Sequence, residues 1–140
     1  MALLFDEDYD YLRSCNLEFG EDEAARLLVI KNYELPKNVY KTSEGQHLEH
    51  AEILVVIPHD YNTSGIDMLW THPLLLRIDG KPIPATSPVG GGDPRYFNGK
   101  EYCRWSRHWK PESWTPKEDN IVKILGRIEW ALQNPDADQP

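Results

Sequence analysis

The 140-residue chain has a formal net charge of −8 and is 40% hydrophobic, with five Trp, seven Tyr and three Phe. That size and apolar content suit one domain with a real core. The acidic balance argues against duplex nucleic acid as a partner, because phosphate binding needs a basic field. No run approaches the roughly 18 apolar residues of a membrane span, and the N-terminus from Met1 to Tyr9 turns acidic too soon for a signal peptide. A cytoplasmic location follows as the expectation. The two cysteines, Cys15 and Cys103, read as free thiols in a reducing compartment.

In chain order, residues 6–14 (DEDYDYLRS) begin with acids that suit a helix N-terminus and predict a short helix. Asn16 to Phe19, the turn at Gly20 with its following acids, and Ala24 to Tyr33 predict a hairpin that opens a sheet. The polar run from Thr42 to His50 predicts a surface connection. Ala51 to Ile57 (AEILVVI) is the strongest strand pattern; its near-continuous apolar character predicts a central strand covered on both faces and ended by Pro58. Met68 to Trp70 and Leu74 to Ile78 predict a third strand and a possible fourth, broken by His72-Pro73. Between Gly80 and Pro94 lie four glycines and four prolines, which predict a long loop or flap. A phosphate cradle at Gly90-Gly91-Gly92 is disfavoured, since no helix-starting lysine motif follows it.

Thr115-Pro116-Lys117-Glu118 offers an N-cap, a proline at the first helical position and a capping-box glutamate. Ile121, Ile124, Leu125, Ile128 and Leu132 then form one apolar stripe, which predicts a C-terminal helix packed on the sheet. Trp130 falls about 180° from Ile121 on that helix, where it either covers a neighbouring loop or meets a partner. Residues 134–140 read as a frayed tail, leaving 1–133 as the single domain.

Tyr102 to Lys110 (YCRWSRHWK) concentrates the chemistry. In an extended chain Cys103, Trp105, Arg107 and Trp109 share one face, and Arg104, Ser106 and His108 share the other. Ser106 and His108 Cα atoms would then lie roughly 6.6 Å apart, within range for a nucleophile and its base. Arg104 could face a developing oxyanion, and Asp93 could orient the imidazole. Cys103 could be a thiolate supported by Arg104 and Arg107, or a small buried hydrophobe. The competing reading of the whole stretch is aromatic core with charged rim. His47 and His50 lack the further ligands of a zinc site, so no metal or cofactor is expected. Arg95, Lys100, Arg104, Arg107 and Lys110, interleaved with Tyr96, Tyr102, Trp105 and Trp109, admit a single-strand nucleic-acid groove, weakened by the acidic remainder.

The chain resembles the ubiquitin-conjugating enzyme fold, and within that superfamily the bacterial group called prokaryotic family E. The resemblance covers roughly residues 5–133 and rests on several stretches. These are Asn32 to Pro36, Ile53 to Pro58 with Asp60-Tyr61, Asp67 to Trp70, and above all Phe97-Asn98-Gly99 leading into Arg104-Trp105-Ser106-Arg107-His108-Trp109. It implies an α+β domain: an antiparallel sheet meander, a short N-terminal helix, a long active-site flap and a C-terminal helix on the sheet. It also implies an acyl carrier that takes the C-terminus of a ubiquitin-like protein from an activating enzyme and passes it to a protein target. Activating enzymes, ubiquitin-like proteins that are often tandem, and deconjugating peptidases are the implied partners. Conventional conjugating enzymes carry His-Pro-Asn with the cysteine soon after. Here Leu74 follows His72-Pro73, and Cys103 comes 31 positions after His72. The family motif centres on Arg-Trp-Ser-Arg-His, which favours Ser106 as acyl acceptor through an oxyester with His108 as base or orienter. A Cys103 thioester is the alternative, and an inactive variant that only binds the ubiquitin-like protein is a further one.

Overall fold

A computed structural model describes residues 2–140 and shows an α+β chain. Helix α1 (Asp6–Ser14) sets Asp6, Glu7 and Asp8 in its first turn, where the helix dipole favours negative charge. Buried Asp8 also accepts the backbone N–H of Ile121 at 3.2 Å, so α1 satisfies a donor at the start of the second helix. Eight strands follow: β1 (Phe19–Asp22), β2 (Leu27–Glu34), β3 (Tyr40–Lys41), β4 (His50–Val56), β5 (Leu69–His72), β6 (Leu76–Arg77), β7 (Arg95–Phe97) and β8 (Lys100–Trp105). Helix α2 (Ile121–Gln133) closes the regular structure.

Six strands form one antiparallel sheet in the order β1-β2-β4-β5-β8-β7. The hairpin of β1 and β2 and the central β4 are as expected; Ile53, Leu54 and Val55 are all fully buried, so β4 is covered on both faces. The possible fourth strand takes a different place. After His72-Pro73 the chain leaves the sheet, and β6 pairs with β3 in a separate two-stranded ladder. Proline brings no N–H to a ladder, which fits a break at that point.

One face of the sheet packs on both helices through Leu28, Ile30, Ile53, Val55, Leu69 and Trp105 against Leu12, Ile121, Ile124, Ile128 and Leu132. The other face carries a smaller cluster of Leu27, Val29, Leu54, Trp70 and Tyr102. The end of the flap covers part of it: Trp70 Nε1 donates to Asp93 O at 2.8 Å, and the Arg95 guanidinium lies 4.6 Å from the Trp70 ring centre.

Helix α2 begins later than the capping pattern predicts. Its N-cap is Asn120, whose side chain accepts the Val122 N–H at 2.9 Å. Thr115 to Asp119 forms a turn closed by Thr115 N donating to Asp119 Oδ2 at 2.7 Å. Lys117 there has φ of +64°, which ends any helix, and its N–H is drawn to Asn62 O at 3.0 Å. The segment expected to fray is tied down at three points. Pro135 is buried, Asp136 pairs with Arg77, and Asp138 O accepts the His108 N–H at 3.2 Å. No helix among the described residues is long and apolar enough to cross a membrane.

Candidate active site

The Tyr102 to Lys110 stretch divides at Trp105. Up to that residue it is strand, with Cys103 and Trp105 buried and Arg104 paired in register with Trp70 on the other face. Beyond it the chain leaves the sheet but stays pinned by the flap. Ser87 N donates to Arg104 O at 3.0 Å and Ser106 N to Ala85 O at 2.8 Å, with an antiparallel bridge between Thr86 and Trp105. The flap thus acts as a partner strand to the end of β8. Arg107 reinforces this from beneath. Fully buried, with its guanidinium 4.8 Å from the Trp105 ring centre, it donates through Nη1 to Pro84 O at 3.0 Å and Ser106 O at 3.1 Å. Burial lowers its pKa, opposed by the nearby Asp138 charge.

This clamp presents Ser106 beside His108, with Oγ 3.1 Å from Nε2. The serine hydroxyl can donate to that nitrogen when the imidazole proton sits on Nδ1. On the far side of the ring, Nδ1 lies 4.0 Å from Asp67 Oδ2. The His108 and Asp67 side chains are 61% and 54% exposed, so the arrangement is open to an incoming macromolecule.

Asp67 is itself backed by a buried cation. Arg127, from the middle of α2, approaches Asp67 Oδ1 at 3.8 Å through Nη1. The same guanidinium donates to Ile66 O and, at 2.9 Å, to Ser113 Oγ. The Trp109 and Trp114 rings lie 5.1 and 5.4 Å from its carbon. Burial lowers the Arg127 pKa, with Asp67 and Asp119 opposing. Trp130 packs edge-on against Trp109 at 5.2 Å, so it covers a neighbouring loop. Gly65 lies flat under Trp114; a Cβ there would come within 2.2 Å of the indole.

The other expected participants lie elsewhere. Cys103 is 2% exposed, and burial, with the Glu101 charge, raises its pKa. This environment works against a thiolate, and the two carbonyls that Arg107 bonds both take its Nη1. Arg104 approaches Asp93 at 3.7 Å, on the face where it stands opposite Trp70. Asp93 pairs with Arg95 and Arg104 rather than with His108, whose carboxylate neighbour is Asp67. The basic and aromatic groove does not assemble either. Lys100 pairs with Glu52 at 2.7 Å, Arg95 and Arg104 share Asp93, and Arg107, Tyr102 and Trp105 are buried. Few of those groups remain to track a phosphate backbone.

Asp67 and Arg127 were invisible as site residues in the sequence. Antiparallel pairing of β5 with β8 places Leu69 opposite Trp105, and continuing that register brings residue 67 level with residue 107. Nothing local reports that pairing. Arg127 sits beside the apolar stripe of α2, three residues after Ile124, a position more often taken by a solvated charge.

A family model described as prokaryotic E2 family E matches residues 4–135, nearly the whole chain. Neither a curated protein nor a solved structure matches it. The sheet, the two helices and the flap agree with an E2-like fold. The match points to an E2-like conjugating role, with a ubiquitin-like protein and an activating enzyme as the kinds of partner. The chain belongs to prokaryotic E2 family E.

Proposed function

We propose that the protein accepts the C-terminal acyl group of a ubiquitin-like protein on Ser106 as an oxyester and passes it to a target nucleophile. The observation that carries this reading is the 3.1 Å contact between Ser106 Oγ and His108 Nε2 at an accessible point of the chain. A serine hydroxyl is a weak nucleophile without a base, and this one has a base within reach. The neighbouring thiol is buried, and burial with the Glu101 charge raises its pKa.

In the loading step, Ser106 Oγ attacks the carbonyl carbon of an acyl group held as a thioester on the activating enzyme. The carbon–sulfur bond breaks and the serine ester forms. The hydroxyl proton passes through His108 Nε2 to the departing thiolate. In the transfer step an amine or hydroxyl of the target attacks the ester, and the proton it sheds returns to Ser106 Oγ. Two clefts flank Trp109 beside this point. One of about 350 Å³ is bounded by Thr63, Asp67, Trp114 and Arg127, and one of about 380 Å³ by His108, Lys110, Ser113 and Gln139. Either offers a channel for an extended C-terminal segment.

The test incubates the protein with its activating enzyme, modifier and ATP. An adduct that resists thiols, yields to alkali and is absent from Ser106→Ala supports the oxyester. A thiol-labile adduct lost in Cys103→Ser would assign the acyl group to Cys103. No adduct, under conditions that charge the activating enzyme, would leave a binding module.

A further inference from the structure

The Ser106–His108 pair does not stand alone, and what lies behind it has the form of a relay. Ser106 Oγ meets His108 Nε2 at 3.1 Å, His108 Nδ1 faces Asp67 Oδ2 at 4.0 Å, and Asp67 Oδ1 faces Arg127 Nη1 at 3.8 Å. We infer that Asp67 is the carboxylate that orients His108 for proton transfer with Ser106, and that Arg127 is the positioning residue that holds Asp67 in place. The inference rests on the reading of Ser106 as acyl acceptor and supplies the groups that activate it.

An imidazole has two neutral tautomers, and only the one protonated on Nδ1 leaves Nε2 free to accept the serine proton. A carboxylate facing Nδ1 selects that tautomer and stabilises the cation formed when the proton arrives. Asp67 is more than half exposed and lies on the loop before β5, so without a tether it would sample many rotamers. Arg127 supplies the tether twice. Its guanidinium bonds Ile66 O, fixing the backbone next to Asp67, and sets a charge against the carboxylate itself. The fork is held between two indoles and Ser113 Oγ, so its own geometry is over-determined. The relay is open to water in the free protein. An acyl chain arriving over Trp109 would exclude that water and strengthen each contact.

Two measurements on the purified full chain test this without any partner. Nitrogen-15 NMR of the His108 ring, at a pH where it is neutral, should show the proton on Nδ1 in the wild type. It should move toward Nε2 in Asp67→Asn, with the melting temperature unchanged. A fluorophosphonate ester should label Ser106; the oxygen–phosphorus bond forms, fluoride leaves, and the hydroxyl proton passes to His108 and on to solvent. The labelling rate should fall about 10- to 100-fold in Asp67→Asn, recover in part in Asp67→Glu, and fall by a smaller factor in Arg127→Lys, which keeps the charge but loses the fork. An Nε2-protonated ring in the wild type, or an unchanged tautomer and rate in Asp67→Asn, overturns the inference even if Arg127 variants fail to fold. Failure to accept a modifier, with the tautomer and its dependence on Asp67 intact, would sink the proposed function and leave the relay standing.

Discussion

Strands β5 and β8 lie side by side, and the chain sets a histidine near each end of the pair. At one end His72 points a ring nitrogen at Glu101 O, 3.1 Å away, with the Tyr102 ring 5.5 Å from its own. Around it the polar groups are consumed: Tyr102 Oη and Lys100 Nζ both donate to Glu52 at 2.7 Å. At the other end His108 meets a hydroxyl and a carboxylate and stands mostly in solvent. Extrapolated along the strands, Ser106 lies opposite residue 68, four residues or about 13 Å from His72. The difference lies less in the imidazole than in what occupies its nitrogens and whether a large substrate can reach it. The His-Pro pair that looks conventional in the sequence belongs to a structural network, and the less conspicuous histidine faces the Ser106 hydroxyl.

The sharpest way to break that comparison is at the open end. Ser106→Ala should reduce acyl loading to background. His108→Ala should lower it about 10²- to 10⁴-fold, as expected for loss of a general base. Both rates come from a single-turnover loading assay. At the closed end, His72→Gln should load within about twofold of wild type, since its ring nitrogen meets Glu101 O rather than Ser106. A drop there matching His108→Ala would reverse the assignment.

The support beneath the open end gives the next effect. Gly65→Ala would drive a methyl into the Trp114 ring that flanks Arg127, costing about 1–3 kcal/mol by urea denaturation. Tyr102→Phe, by contrast, removes one hydrogen bond to Glu52 and should cost about 1–2 kcal/mol with loading intact.

The smallest effect is one of pH. Burial pushes the Glu52 carboxyl up, but the bonds from Lys100 and Tyr102 and the Lys100 charge outweigh it and leave it below the usual range. A depressed carboxyl contributes stability above its unfolded value, near pH 4.3, and loses it as the pH falls through the folded value. Wild-type stability should therefore decline more steeply with acid than that of Glu52→Gln. Equal slopes in denaturation series across that range would show that the closed network does not hold Glu52 ionised.

Much of this contrast was legible in the residues. The apolar run of β4 announced a central strand because burial on both faces leaves no polar alternation to read. The α2 stripe announced its packing face for the same reason. The start of α2 misled because Thr115 to Glu118 carries a good capping pattern, while the distant carbonyl of Asn62 and the left-handed Lys117 decide against it. At the site, proximity of Ser106 and His108 was legible from their spacing, although the chain there is no longer strand. Asp93 meets its own neighbours Arg95 and Arg104, and the carboxylate beside His108 is Asp67, brought there through the pairing of β5 with β8. Local pattern reports what a residue prefers; it does not report which distant strand will be laid beside it.

The most direct test changes the chemistry of one position. In a background carrying Cys15→Ser and Cys103→Ala, the protein should still load the modifier through a thiol-resistant, alkali-labile bond. Adding Ser106→Cys to that background should convert the bond to one that thiols release. A linkage whose chemistry is unmoved by the residue at 106, or loading that vanishes with Cys103→Ala alone, would contradict Ser106 as the acyl acceptor.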